Sequence, residues 1–180
     1  HQITRIAFLR GPAYNSAAEE RYRAYQEVLA EFGLPLDPNL VTTPVAWSQG
    51  YNAMKELLDD RNLKPGIDFE AVIAANSSLM LNAARLLNER GVKIPNDVAI
   101  AGFDDSDQFR AMNPPLTVAC SDFQELGYKA VETVMELLNG KEIPERTFIP
   151  TRLIIRQSCG CNSISDGENY PEVFGGKGAN

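Results

Sequence analysis

Val98-Ala-Ile-Ala-Gly102 (VAIAG) runs directly into Phe103-Asp104-Asp105, and the fold follows from how that stretch reads. A strand with one wet face alternates apolar and polar residues, whereas an unbroken apolar run has both faces covered. The switch to two aspartates then marks the strand's carboxyl end. Ala71 to Ala75 (AVIAA) repeats the pattern and closes on Asn76-Ser77-Ser78. Upstream, Ile3 to Leu9 (ITRIAFL) is a first strand, closed by Gly11 and Pro12; downstream, Leu116 to Ala119 follows Pro114-Pro115. Leu40 to Val45, interrupted by Pro44, is a weaker strand, and Thr147 to Gln157 reads as extended structure broken by Pro150.

Helical patterns fill the intervals. Ser16 and Glu19 have the spacing of a capping box, and Ala18, Tyr22, Tyr25, Val28, Leu29 and Phe32 fall on one face before Gly33. Ser48 caps a second helix with Tyr51, Met54, Leu57 and Leu58 inward. A third runs from about Ser78 with Leu79, Ala83, Leu86 and Leu87 inward. A helix over 124–139, opened by Asp122 and Glu125, turns Leu126, Ala130, Val134, Leu137 and Leu138 to one side. Four strand-then-helix cycles predict an α/β fold, a mainly parallel sheet with helices on both faces. From Asn162 the composition turns to Ser, Gly, Asn and Asp, so 1–158 reads as the folded lobe and 159–180 as a flexible tail or linker.

Composition narrows the function. The 180 residues are 44% hydrophobic and 23% charged, with a net charge of −7, a balance that suits a globular domain and repels a phosphate backbone. No apolar stretch is long enough to span a bilayer. The one histidine, His1, excludes a Ser-His-Asp triad or a multi-histidine metal site within this chain, and Cys159 and Cys161 alone do not complete a tetrahedron. Three cysteines do not make a disulfide scaffold, which fits a reduced, cytoplasmic setting. No G-x-G-x-x-G follows the first strand and no Walker-A sequence exists. Asp104, Asp105 and Asp107 have the chemistry to hold Mg²⁺, but a phosphoryl-transfer site also wants a partnered lysine after another strand, and none stands there. The chain reads as a binding protein with no cofactor and no metal, not as an enzyme.

Ligands of open parallel sheets bind at the carboxyl ends of the strands. The residues placed there include Asn15 and Arg21 after the first strand, Trp47 after the second, Asn76 after the third, Asp104 after the fourth, and Ser121 and Phe123 after the fifth. Amides, a carboxylate, a guanidinium and an indole suit a polyhydroxylated solute. The carboxylate accepts from two neighbouring hydroxyls, Arg donates a planar fork, and the Trp face meets ring C–H groups. Each residue type also has a structural reading: Trp47 as a core anchor, Asp104 as a turn cap, Arg21 as a surface ion pair, Asn76 as a helix N-cap.

Arg5-Ile-Ala-Phe-Leu, Glu20-Arg21 running to Tyr25, Ala75-Asn76, Val92 to Pro95, Val98 to Asp105, Pro114-Pro-Leu-Thr117, Leu126-Gly127 and Arg152-Leu-Ile-Ile-Arg156 occur in one order that resembles the effector-binding domain of LacI/GalR-type regulators. The resemblance covers roughly residues 1 to 158 and implies the C-terminal lobe of a two-lobed, periplasmic-binding-protein-like (type I) fold. It implies that Arg21, Asn76 and Asp104 bond a sugar-like effector, that Trp47 stacks on it, and that Phe123 lines the cleft; Ser121 and Asn15 are secondary candidates. Ser77 stands where the family often has Asp. It also implies a transcription regulator that reaches DNA only through a domain absent from this chain. Because the helix at 124–139 would pack on a lobe not included here, an exposed apolar face, a homodimer or another packing is expected. The sensor of a kinase or cyclase, and a transport solute-binding protein, remain the alternatives.

Overall fold

The computed structural model describes residues 1–161. Its sheet has five strands in sequence order: β1 (Ile6–Leu9), β2 (Ala71–Ala74), β3 (Ala99–Phe103), β4 (Thr117–Ser121) and β5 (Thr151–Ile154). The first four are parallel, and β5 closes the edge antiparallel to β4. The register aligns Leu9 with Ala74 and Ala74 with Gly102, so the carboxyl ends of β1 to β3 form one edge. The α/β architecture with a mainly parallel sheet is therefore as the apolar runs require.

Side chains alternate across the sheet, so Phe8, Ile73 and Ala101 share one face while Leu9, Ala74 and Gly102 share the other. On the first face lies α1 (Ser16–Glu31). Its Tyr22 and Tyr25 rings meet Phe8 with centroids 5.7 and 4.8 Å away, and the Tyr25 hydroxyl donates to the Ile6 carbonyl at 2.8 Å. Burial, with Tyr22 and Asp37 nearby, pushes that phenol's pKa up to about 12. On the other face lies α3 (Ser77–Glu89), whose Met80 sulfur would be 3.0 Å from a Cβ on Gly102. The short α2 (Gly50–Lys55) crosses α3 and continues into a wider π-type turn at Glu56–Asp60. Met54, Leu57, Leu79, Met80, Leu86 and Leu87 are fully buried between these helices and the sheet.

Several expected elements come out differently. The α1 cap is Asn15, whose side chain accepts from the Ala18 N–H at 3.1 Å, and not Ser16. A turn from Asn15 N to the Pro12 carbonyl at 3.0 Å sets Asn15 extended, one residue before the capping-box spacing places the cap. The strand expected over 40–45 is a 3₁₀ turn at Pro38–Leu40 followed by a single bridge from Val41 to Phe8. Pro44 brings no N–H to a ladder, and side chains satisfy the backbone instead. Arg61 donates to the Pro38, Asn39 and Val41 carbonyls, and the Thr43 N–H donates to Glu56. α2 begins at Gly50 behind Gln49, without the expected Ser48 cap.

Two helices remain on the carboxyl side. α4 (Asp107–Ala111) is a short turn that buries Phe109. α5 (Phe123–Leu138) is capped by Asp122, whose carboxylate accepts from the Gln124 and Glu125 N–H groups at 3.0 and 3.1 Å. None of its residues is buried, so the expectation of an inward Leu126, Val134, Leu137 and Leu138 fails while that of an exposed apolar face holds. The stripe is present, and its Leu126 and Ala130 line a cavity with Ile143, Pro144 and Ile149.

Candidate functional site

The aligned strand ends bring the residues that follow them onto one edge. Arg21, a turn and a half into α1, leans across it: Nη1 donates to the Ala75 carbonyl at 2.6 Å, and Nη2 lies 3.5 Å from Asp104 Oδ1. Its guanidinium carbon stands 4.5 Å from the centre of the Phe103 ring. A carbonyl, an aromatic face and a carboxylate thus hold one cation in place, and the pair is part-exposed (side chains 23% and 34%). Both charges are positioned, and neither is sealed from a solute. Arg offers five N–H donors and a carboxylate several acceptor lone pairs, so bonding capacity remains on each.

Asp104 reaches that position through its backbone. Its φ is +68°, a left-handed conformation that Asp tolerates better than most residues. The Asp104 N–H still donates to the Ala119 carbonyl at 2.8 Å, so the chain turns sharply just as the β3–β4 pairing ends. Asn76 caps α3, its side-chain oxygen accepting from the Leu79 N–H at 2.8 Å. That fulfils its structural reading and fixes the amide beside Ala75, the residue bonded by Arg21. Trp47 is half-buried with its ring over Gly11; a Cβ there would sit 2.3 Å from the indole, so only glycine admits this approach. Arg10 borders the same end, with its guanidinium 4.2 Å from the Tyr22 ring centre.

The other candidates lie around the end of β4. Ser121 and the exposed Phe123 line a cavity of about 330 Å³ with Asp105, Arg110, Asp122 and Arg152. Arg21, Asn76 and Asp104 are not among its walls. Asn15 is committed to the α1 cap. The structure therefore gathers Arg21, Asp104 and Asn76, sets Trp47 at the end of β1, and leaves Phe123, Ser121 and Asn15 apart.

One pair was not legible in the sequence. Arg156 is 1% exposed and bonds Asp105 bidentately at 2.7 and 2.7 Å, with a further bond from Nη1 to the Leu116 carbonyl at 2.8 Å. Burial pushes the Asp105 carboxyl up, but the hydrogen bonds and charge of Arg156 outweigh it and hold the group below its usual range. The Thr117 hydroxyl donates to the Arg156 carbonyl and accepts its N–H at 3.0 and 2.9 Å. Ser158 Oγ donates to the Ile100 carbonyl at 2.7 Å and accepts from the Thr117 N–H at 2.8 Å. These bonds lock the 156–158 segment beneath the aspartate loop. No spacing rule joins positions so far apart; the visible signals were an acidic strand end and an arginine closing an apolar run.

The family described as "Periplasmic binding protein-like domain" matches residues 1–159. Curated relatives include the HTH-type transcriptional regulator GalR of Escherichia coli strain K12, 34% identical over 164 residues, covering 89% of this chain and 46% of that protein. The HTH-type transcriptional repressor MelR of Bacillus subtilis is 30% identical over 145 residues, covering 81% of this chain and 40% of its own length. The chain spans less than half the length of these relatives. A solved transcriptional regulator CelR–cellobiose complex superposes with a TM-score of 0.76 at 33% identity, over 87% of this chain and 47% of that one. The mainly parallel sheet and these likenesses agree: the chain belongs to the periplasmic binding protein-like domain family, and its relatives are LacI/GalR-type transcriptional regulators.

Proposed function

We propose that residues 1–158 are the small-solute sensing lobe of a LacI/GalR-like transcriptional regulator, and that the effector is a sugar or related polyol. The observation that carries this is the Arg21–Asp104 pair, positioned at the strand ends beside Asn76 and left part-exposed. Paired donor and acceptor groups of this kind match vicinal hydroxyls, and Trp47 supplies an apolar face at the same edge. Phe123 and Ser121 contribute from the β4 end, with Asn15 holding α1. The role is binding and not catalysis: effector contacts bias the closure of two lobes, of which this is one. The exposed stripe of α5 packs on the first lobe, the assembly is a cytoplasmic homodimer, and DNA is met by a domain outside this chain. The regulators named above support this reading by their descriptions, and the cellobiose held by CelR supports the ligand class.

Arg21→Ala and Asp104→Ala in the intact protein test it, read by thermal shift against a panel of monosaccharides, disaccharides and polyols. A ligand at a hundred times its Kd stabilises by about 2.7 kcal/mol, a shift of roughly 5–10 °C for a domain of this size. Losing one charged partner costs about 2–5 kcal/mol of binding, so each variant loses the shift while its unliganded Tm stays close to that of the parent. An unchanged ligand response in both variants refutes the assignment.

A further inference from the structure

The opposite end of the sheet carries a second group of chemistry-bearing side chains that the sensing role does not use. His1, Cys159 and Cys161 each offer one ligand atom, and these atoms all lie within 4.8 Å of one another; His1 Nε2 and Cys161 Sγ are 3.3 Å apart. The sequence reading set the two thiols aside because two ligands do not complete a tetrahedron, and the fold supplies a third from the far end of the chain.

Each arm is held in place. Cys159 ends a 3₁₀ turn (Gln157–Cys159) that the Ser158 bonds anchor to Ile100, Pro115 and Thr117, and its Sγ donates to the Arg156 carbonyl at 3.3 Å. Gly160 has φ +95°, a turn that a side chain would strain, and it returns Cys161 beside Cys159. On the other arm, the Thr4 and Arg5 N–H groups both donate to the Glu70 carboxylate at 3.2 Å, fixing the segment that leads back from β1 to His1. His1 and Cys159 also share the walls of two open cavities, of about 260 and 540 Å³, at the amino ends of β1 to β3. A solvent route therefore reaches the ligand atoms.

We propose that His1, Cys159 and Cys161 bind a thiophilic divalent cation of the Zn²⁺ class, with the fourth position open to water. Ligand type decides the class: two sulfurs and one imidazole nitrogen select Zn²⁺ over the oxygen-seeking Mg²⁺ and Ca²⁺. Distance permits it, since sulfur and nitrogen atoms bound tetrahedrally to Zn²⁺ sit about 3.5–3.8 Å apart, so closing the site takes side-chain adjustments on the order of 1 Å. Charge also fits, because two thiolates neutralise a divalent ion and no net charge is added at the sheet end. The site joins the start of the described chain to its last residues and is separate from the effector edge.

The test is stoichiometric Co²⁺ added to the reduced 180-residue protein, followed by Zn²⁺ in competition with a chromophoric chelator. Expected are thiolate-to-cobalt charge transfer, tetrahedral d–d bands and displacement by one equivalent of Zn²⁺. Cys159→Ser, Cys161→Ser and His1→Asn should each weaken Zn²⁺ by at least about tenfold, while Cys120→Ser, which changes a cysteine outside the cluster, leaves it unchanged. Far-ultraviolet circular dichroism of every variant shows whether the fold is kept. Three results overturn the proposal: no thiolate charge transfer, Zn²⁺ affinity unaltered in Cys159→Ser/Cys161→Ser because the amino-terminal residue chelates alone, or affinity unaltered in His1→Asn.

Discussion

Replacing Asp105 with Asn keeps the side chain's outline and removes the charge that faces Arg156. In the folded chain that arginine is 1% exposed, holds Asp105 through two bonds of 2.7 Å, and has a buried Nε without a hydrogen-bond partner among the described residues. Once the carboxylate is gone, the guanidinium keeps the Leu116 carbonyl and one amide oxygen, and its charge is uncompensated. Breaking a buried ion pair from one side costs about 3–5 kcal/mol; because the Asp105 side chain remains 21% exposed, the lower end applies, about 3 kcal/mol. For a domain of this size that corresponds to a fall in Tm of roughly 6–12 °C. The pH dependence supplies a second signature. Folding depresses the Asp105 pKa, so below the ordinary carboxylate value of about 3.9 the unfolded chain takes up the proton first. The parent's advantage over Asp105→Asn is therefore complete above that value and shrinks as the pH falls through the folded pKa. Glu70, Glu89 and Asp122, whose pKa values folding also lowers, titrate in both proteins and cancel in the comparison. Urea unfolding followed by circular dichroism from pH 7 downward measures both. A difference under about 1 kcal/mol at pH 7, or one that does not change with pH, refutes the reasoning.

Other substitutions test other links. Gly50→Ala would place a Cβ 2.1 Å from the Leu79 carbonyl oxygen, and since neither backbone can swing away, a loss of about 2–3 kcal/mol is expected by urea unfolding. Asp104→Gly relieves the positive φ but removes the carboxylate, so stability should stay within about 1 kcal/mol of the parent while effector-induced thermal shift disappears. Val131→Lys with Leu138→Lys alters only exposed positions of α5. Stability of this chain should change by less than about 0.5 kcal/mol, with hydrophobic-dye binding and self-association falling; gel filtration and dye fluorescence read the two effects.

How much of the site was legible depended on whether a residue's task was set by its place after a strand. Arg21, Asn76 and Asp104 stand together because parallel topology sends whatever follows each strand to one edge, and the register of Leu9, Ala74 and Gly102 makes that edge level; Trp47 lies over Gly11 at the same end although the strand expected before it does not form. Two of their structural readings are met. Asn76 caps α3 while standing beside the Arg21 contact, and Trp47 covers Gly11 at the same edge. Phe123 and Ser121 follow their strand by the same rule yet line a cavity with Asp105 and Arg152 whose walls do not include Arg21, Asn76 or Asp104.

The amino-acid sequence by itself determined the α/β class, the parallel strands and the inner face of α3. Unbroken apolar runs such as AVIAA and VAIAG must be covered on both faces, and the helical period of Leu79, Ala83, Leu86 and Leu87 supplies one cover. Tertiary structure alone decided where polar groups found partners. Arg61 satisfies the carbonyls of a segment that reads as a strand, Arg156 reaches Asp105 across the sheet's end, and His1 meets Cys159 and Cys161. An apolar pattern records what a residue must avoid, and avoidance of water is local and periodic. A hydrogen bond or ligand set records a particular partner, and only the folded path of the chain brings that partner within about 3 Å.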